Sequence, residues 1–144
     1  MTAPGNAALR QLALKVLAQH AGAGANPKAL AAAAHRAYDD LDRVATPLIG
    51  QLGVDALTGR AFHLVQQEYP SLVRARETQQ GERPFAQVIF SLERQDPAVA
   101  LEAAGAVFAT FAELLIKYIG EHLTASLLQN AWPGAFSDPG SGET

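Results

Sequence analysis

The chain contains no cysteine. Disulfides, thiol nucleophiles and thiolate metal ligands are therefore excluded. Charge is also sparse: charged residues make up 17% of the 144 positions, and the formal net charge is −3. Binding nucleic acid by phosphate neutralisation needs a basic footprint, so no nucleic-acid partner is expected. No apolar run approaches the roughly 20 residues that span a bilayer. The start, Met1-Thr2-Ala3-Pro4-Gly5-Asn6, lacks the basic residues and apolar stretch of a signal peptide. The expectation is a cytoplasmic protein with no membrane partner. Strand-like alternation beside turn signals is missing, and no period of 20–50 residues is visible along the chain.

What is present is helical patterning. Hydrophobic residues are 49% of the chain, and a chain of this size buries about 70% of its unfolded surface without needing a cross-link. Asn6 is placed to cap a first helix reaching about His20, with Leu9, Leu12, Ala13, Val16 and Leu17 at helical spacing. Gly22-Ala23-Gly24 ends it. Asn26-Pro27 starts a second, alanine-rich helix, because proline at the first helical position loses no hydrogen bond. Leu30, Ala34, Ala37, Leu41 and Ala45 form its inward stripe. Thr46-Pro47 predicts a stop or kink near Ala45, then a short turn over Leu48 to Leu52.

Asp55 is expected to cap a third helix to about Tyr69, with Leu57, Ala61, Leu64 and Val65 inward. Pro70 breaks it, and Arg74 to Arg83 reads as a polar loop. A short helix follows from Pro84 to about Arg94. Asp96-Pro97 opens the longest helix, whose apolar face carries Val107, Phe108, Phe111, Leu114, Leu115 and Tyr118. It is expected to bend at Gly120 and continue through Leu123, Leu127 and Leu128 to Trp132, where Pro133 ends it. The architecture is all-α: an antiparallel bundle of five or six helices in one domain over residues 6–133. Residues 1–5 are read as a disordered lead and 134–144 as a flexible, Gly-, Pro-, Ser- and acid-rich tail.

Candidate chemistry is thin. His35, Asp39 and Asp42 share one helix face and are the best metal-ligand set, but a bundle carboxylate site uses Glu-x-x-His pairs on facing helices, which are missing. Arg36 and Arg43 accompany them, as on a solvated face. Phosphotransfer at His35 is opposed by Asp39 and Asp40, whose charge repels a phosphoryl group. His63 sits with Arg60, Gln66 and Gln67 on a polar side, and His122 beside Glu121 at the Gly120 bend. Ser71, Ser91, Ser126, Ser137 and Ser141 form no nucleophile turn, and no glycine-rich phosphate loop is present. Arg74, Arg76 and Arg83 alternate with Glu77 and Glu82, so that stretch reads as solvated loop.

Two features point to interactions instead. Trp132 at a helix end is either a lid on the core or the anchor of an interface. The run Ala98, Ala100, Ala103, Ala104, Gly105 and Ala106 permits close helix contact, within the bundle or between copies.

The stretch Ile119-Gly120-Glu121-His122-Leu123-Thr124-Ala125-Ser126-Leu127-Leu128-Gln129-Asn130-Ala131-Trp132-Pro133 resembles the C-terminal end of some uncharacterised bacterial all-helical proteins. The resemblance implies a helical fold and assigns no residue a role. The expected function is a non-enzymatic interaction or regulatory module that self-associates or binds another protein, with no cofactor. The alternatives are a small-molecule or metal site at His35 and Asp39, and histidine phosphotransfer.

Overall fold

A computed structural model of the chain describes residues 6–22, 26–72 and 82–136. The expected lead at 1–5 and most of the Arg74–Arg83 loop and the tail lie outside them. Among the described residues the chain is all-α, with no strand. Its helices are α1 (Asn6–Ala21), α2 (Pro27–Glu68), α3 (Phe85–Leu92), α4 (Pro97–Ile119), α5 (Glu121–Ala131) and α6 (Pro133–Phe136). They share one hydrophobic core running from Leu9 to Ala135.

Local signals account for several boundaries. Asn26 Oδ1 accepts the Ala29 backbone N–H at 2.8 Å, and Pro27 follows at the first helical position. Asp96-Pro97 opens α4 in the same way, although Asp96 makes no side-chain cap bond. The inward stripe of Leu30, Ala34, Ala37, Leu41 and Ala45 is fully buried.

The break expected at Thr46-Pro47 is displaced. The helix passes through Pro47, and the non-helical residue is Gly50, with φ 83° and ψ 157°. Proline removes one hydrogen bond from a helix, whereas this backbone conformation is open essentially to glycine alone. The chain doubles back there. Tyr38 Oη and Thr58 Oγ1 are 2.9 Å apart, while a straight helix would separate residues twenty positions apart by about 30 Å. Asp55 therefore lies inside the returning arm and does not cap it.

Gly120 does the same, with φ 95° and ψ 159°. The expected bend is a reversal: Phe108 and Trp132 have ring centroids 5.6 Å apart, where a continuous helix would hold them about 36 Å apart.

The two corners share an Ile-Gly pair and a similar residue pattern at an offset of 70 residues. Pro27 pairs with Pro97, Ala33 with Ala103, Ala34 with Ala104, Ile49 with Ile119, Gly50 with Gly120, Leu57 with Leu127 and Ala61 with Ala131. The pattern of burial follows the same offset. Tyr38 and Phe108 are buried, as are Leu41 and Phe111, Ala45 and Leu115, and Phe62 and Trp132. Each half is a helix, a glycine corner and a shorter returning helix.

The small-residue run of α4 serves the bundle. Ala100, Ala103, Ala104 and Ala106 are buried, and a Cβ at Gly105 would stand 3.0 Å from Leu14 Cδ2, so α1 packs closely on α4 there and a side chain at 105 would require Leu14 to shift. By length and composition α4 could cross a membrane, but 61% of its most apolar stretch is buried within the bundle. The reading of 134–144 as tail is corrected at its start. Gly134–Phe136 belong to α6, Ala135 is buried, and Gln19 Nε2 donates to the Gly134 carbonyl at 3.1 Å.

Candidate functional site

The polar residues singled out on α2 are divided by the structure. His35 and Asp39 stay together on the surface, Nδ1 to Oδ2 at 3.2 Å, with both side chains about three-fifths exposed (59% and 61%). Asp42 belongs to a different group. Arg83, in the segment before α3, reaches it with Nη1 to Oδ2 at 2.9 Å and Nη2 to Oδ1 at 3.1 Å. The same guanidinium donates from Nε to Asp55 Oδ1 at 2.9 Å. Thr46 Oγ1 completes the set, donating to Asp42 at 2.8 Å.

Arg83 thus ties the outgoing arm of α2 to its returning arm, a few residues below the Gly50 corner. A planar, forked guanidinium suits this geometry, since it satisfies two carboxylates at once. The Arg83 hydrogen bonds and the one from Thr46 hold the Asp42 carboxyl below its usual range, against the opposing effect of partial burial. The two carboxylates hold Arg83 above the usual arginine range.

Beneath the clamp lies a second link between the arms. Thr58 Oγ1 donates its proton to the Val54 carbonyl at 2.8 Å, so Tyr38 must be the donor in the Tyr38–Thr58 bond. Burial pushes the Tyr38 phenol above its ordinary range. Its ring stacks on Phe85 with centroids 4.0 Å apart and planes 6° from parallel. The aromatic contacts continue to Phe108 at 5.8 Å and from there to Trp132.

Between α2 and α3 this arrangement leaves an open cavity of about 350 Å³. His35, Asp39 and Glu93 supply polar groups around it, with Arg83, and Tyr38, Phe85, Phe90 and Ile89 form its apolar lining. Among the described residues no three His, Asp or Glu side chains converge as a metal would require. Of the other histidines, His63 and His122 are exposed and His20 faces Asp40 at 3.8 Å.

Trp132 is not on the surface. It is 5% exposed and its indole N–H donates to the Ala37 carbonyl, so the side chain offered as an interface anchor closes the core instead. Exposed apolar side chains occur elsewhere: Leu48 (48%), Leu52 (85%), Tyr118 (64%) and Leu123 (42%). The first two flank Gly50 and the last two flank Gly120. Tyr118 is expected on the apolar face of its helix, and it is exposed. Sequence reasoning missed Arg83, which lies in an apparently solvated stretch, and the corner at Gly50, and placed only a bend at Gly120. The recurrence of Ile-Gly at the offset of 70 is the signal that identifies the corners.

No family model matches the chain, and neither a curated protein nor a solved structure matches it.

Proposed function

We propose that this chain is a non-enzymatic interaction module that associates with a second copy of itself through its apolar corners. The observation that carries this reading is the placement of the exposed large hydrophobic side chains Leu48, Leu52, Tyr118 and Leu123 at the two glycine corners. Single exposed leucines are ordinary, but exposed apolar side chains grouped at a turn favour contact with another surface. The Arg83 clamp supports the Gly50 corner, and a corner that is already rigid loses less conformational freedom on binding.

Sedimentation of the full chain over micromolar to millimolar concentration tests it. Association is expected to rise with concentration and to be lost in a Leu48→Asp, Leu52→Asp double variant that keeps its helical circular dichroism. A wild-type chain that sediments as a strict monomer throughout the range overturns the reading.

A second reading, of small-molecule binding, is favoured by one observation: His35 and Asp39 line the same aromatic-walled cavity. Metal binding there has two side chains where three or four ligands are usual. Phosphotransfer at His35 faces the adjacent Asp39 carboxylate. A thermal-shift screen with organic ligands and divalent metals, repeated on His35→Ala, distinguishes this reading from self-association.

A further inference from the structure

A second cavity, of about 300 Å³, lies away from the α2 clamp where α1, the end of α4 and α5 meet. Leu9, Leu12, Ile116 and Leu128 supply apolar walls. Leu9 and Leu128 are buried, while Leu12 and Ile116 are half-buried. Its volume is at the low end for small-molecule sites, which lie at roughly 300–1,000 Å³ and combine apolar walls with a few polar groups.

The polar group here is Thr124. Thr124 is one of the residues lining the cavity and is 1% exposed, yet its Oγ1 has no hydrogen-bond partner. A buried hydroxyl without a partner is destabilising by about 1–3 kcal/mol. The contrast with Thr58 is direct. Thr58 also sits in a helix and is 1% exposed, and it donates to the carbonyl four residues back, Val54, at 2.8 Å. The corresponding carbonyl for Thr124 is that of Gly120, which accepts the Thr124 backbone N–H at 3.1 Å but not the hydroxyl.

Glu121 is the charged side chain among the described lining residues. A carboxylate set against it meets like charge, whereas a neutral head group does not. From the apolar walls, the unpartnered hydroxyl and the acidic rim, we infer that this cavity binds a neutral aliphatic molecule bearing one hydrogen-bonding group, of the class of a medium-chain alcohol, with that group on Thr124.

Titration of the full chain with 1-octanol, followed by ¹H–¹⁵N correlation spectra, tests the assignment. Saturable binding is expected, with shifts concentrated in α1, α5 and the end of α4. Octanoate is expected to bind roughly ten-fold more weakly because of the adverse charge at the rim. Thr124→Val keeps the shape of the wall and should weaken octanol roughly five-fold, the equivalent of one neutral hydrogen bond. The same variant should unfold at an equal or higher temperature than wild type, whereas Thr58→Val should unfold lower. Ala125→Trp, which fills the cavity, should abolish octanol binding. The assignment is overturned by the absence of saturable octanol binding, by octanoate binding as tightly as octanol, or by Thr124→Val binding octanol unchanged.

Discussion

The indole N–H of Trp132 donates to the backbone carbonyl of Ala37 at 3.0 Å, across 95 positions of sequence. This bond joins the end of the second half of the chain to the middle of the first. It stands beside the edge-on packing of Trp132 against Phe108.

Truncating Trp132 should therefore be among the most damaging single changes. Trp132→Ala removes a buried aromatic and is expected to destabilise the chain by about 3–5 kcal/mol. Trp132→Phe retains most of the packing and loses the hydrogen bond, for roughly 1 kcal/mol plus the change in fit. Urea denaturation of the three proteins checks the order. A Trp132→Ala midpoint equal to wild type would show that the ring does not close the core.

The Arg83 clamp makes a pH-dependent contribution with a definite sign. Asp42 is held below its ordinary range in the folded state, chiefly by Arg83. Its contribution is thus fully present above the unfolded carboxyl pKa of about 4 and is lost as pH falls through the lower folded value. Stability measured from pH 6 downward should decline below about pH 4, and Asp42→Asn should flatten part of that decline. An identical acid limb in the variant would remove Asp42 from the account.

Replacing the clamp itself leaves Asp42 and Asp55 partly buried without their shared cation. Arg83→Ala is expected to destabilise the chain by about 1–3 kcal/mol. Arg83→Lys should restore little of this, because an ammonium cannot present a fork to two carboxylates. Thermal denaturation at neutral pH separates the outcomes; full rescue by lysine would mean that charge alone matters at this site.

The two corners should respond alike to a methyl group. No atom lies within 4 Å of a Cβ built on Gly50 or Gly120, so space is not the issue. The cost is conformational: Gly50→Ala and Gly120→Ala are each expected to destabilise by about 1–3 kcal/mol. Gly59 is also open to a Cβ but lies within a helical arm of α2. Gly59→Ala should stabilise by up to about 1 kcal/mol. Denaturant midpoints for the three variants provide the check, and a neutral Gly50→Ala would contradict the corner geometry.

The surface pair His35–Asp39 should matter little to folding. Both side chains are well exposed, and isolated pairs of this kind contribute about 0–1 kcal/mol. His35→Ala is expected to leave the unfolding midpoint nearly unchanged while altering any ligand response of the adjoining cavity. A large loss of stability would place His35 in the fold and not at a binding surface.

Most of the helical architecture was legible in the sequence because its causes are local. The 3.6-residue spacing of Leu30, Ala34, Ala37, Leu41 and Ala45 identifies a buried face wherever the partner lies, and Asn26-Pro27 specifies a helix start within a few residues. Phe108 and Phe111 were likewise readable as core. The direction of the chain after each helix was not. Pro47 is a strong local breaker, yet the reversal occurs at Gly50, because the tertiary fold needs a backbone conformation that a proline-induced kink does not supply. Tyr118 and Leu123 share the apolar spacing of their neighbours, and only the reversal at Gly120 decides that they face outward. The clamp was hidden for the same reason. Asp42, Asp55 and Arg83 each resemble an ordinary surface charge until the α2 hairpin brings all three together. Sequence by itself determined where this chain is helical and which faces are apolar, since those follow from hydrogen bonds and side chains a few residues apart. Only the tertiary structure decided which polar groups meet, which apolar ones remain uncovered and that Thr124 is buried without a partner, since those depend on contacts between residues distant along the chain.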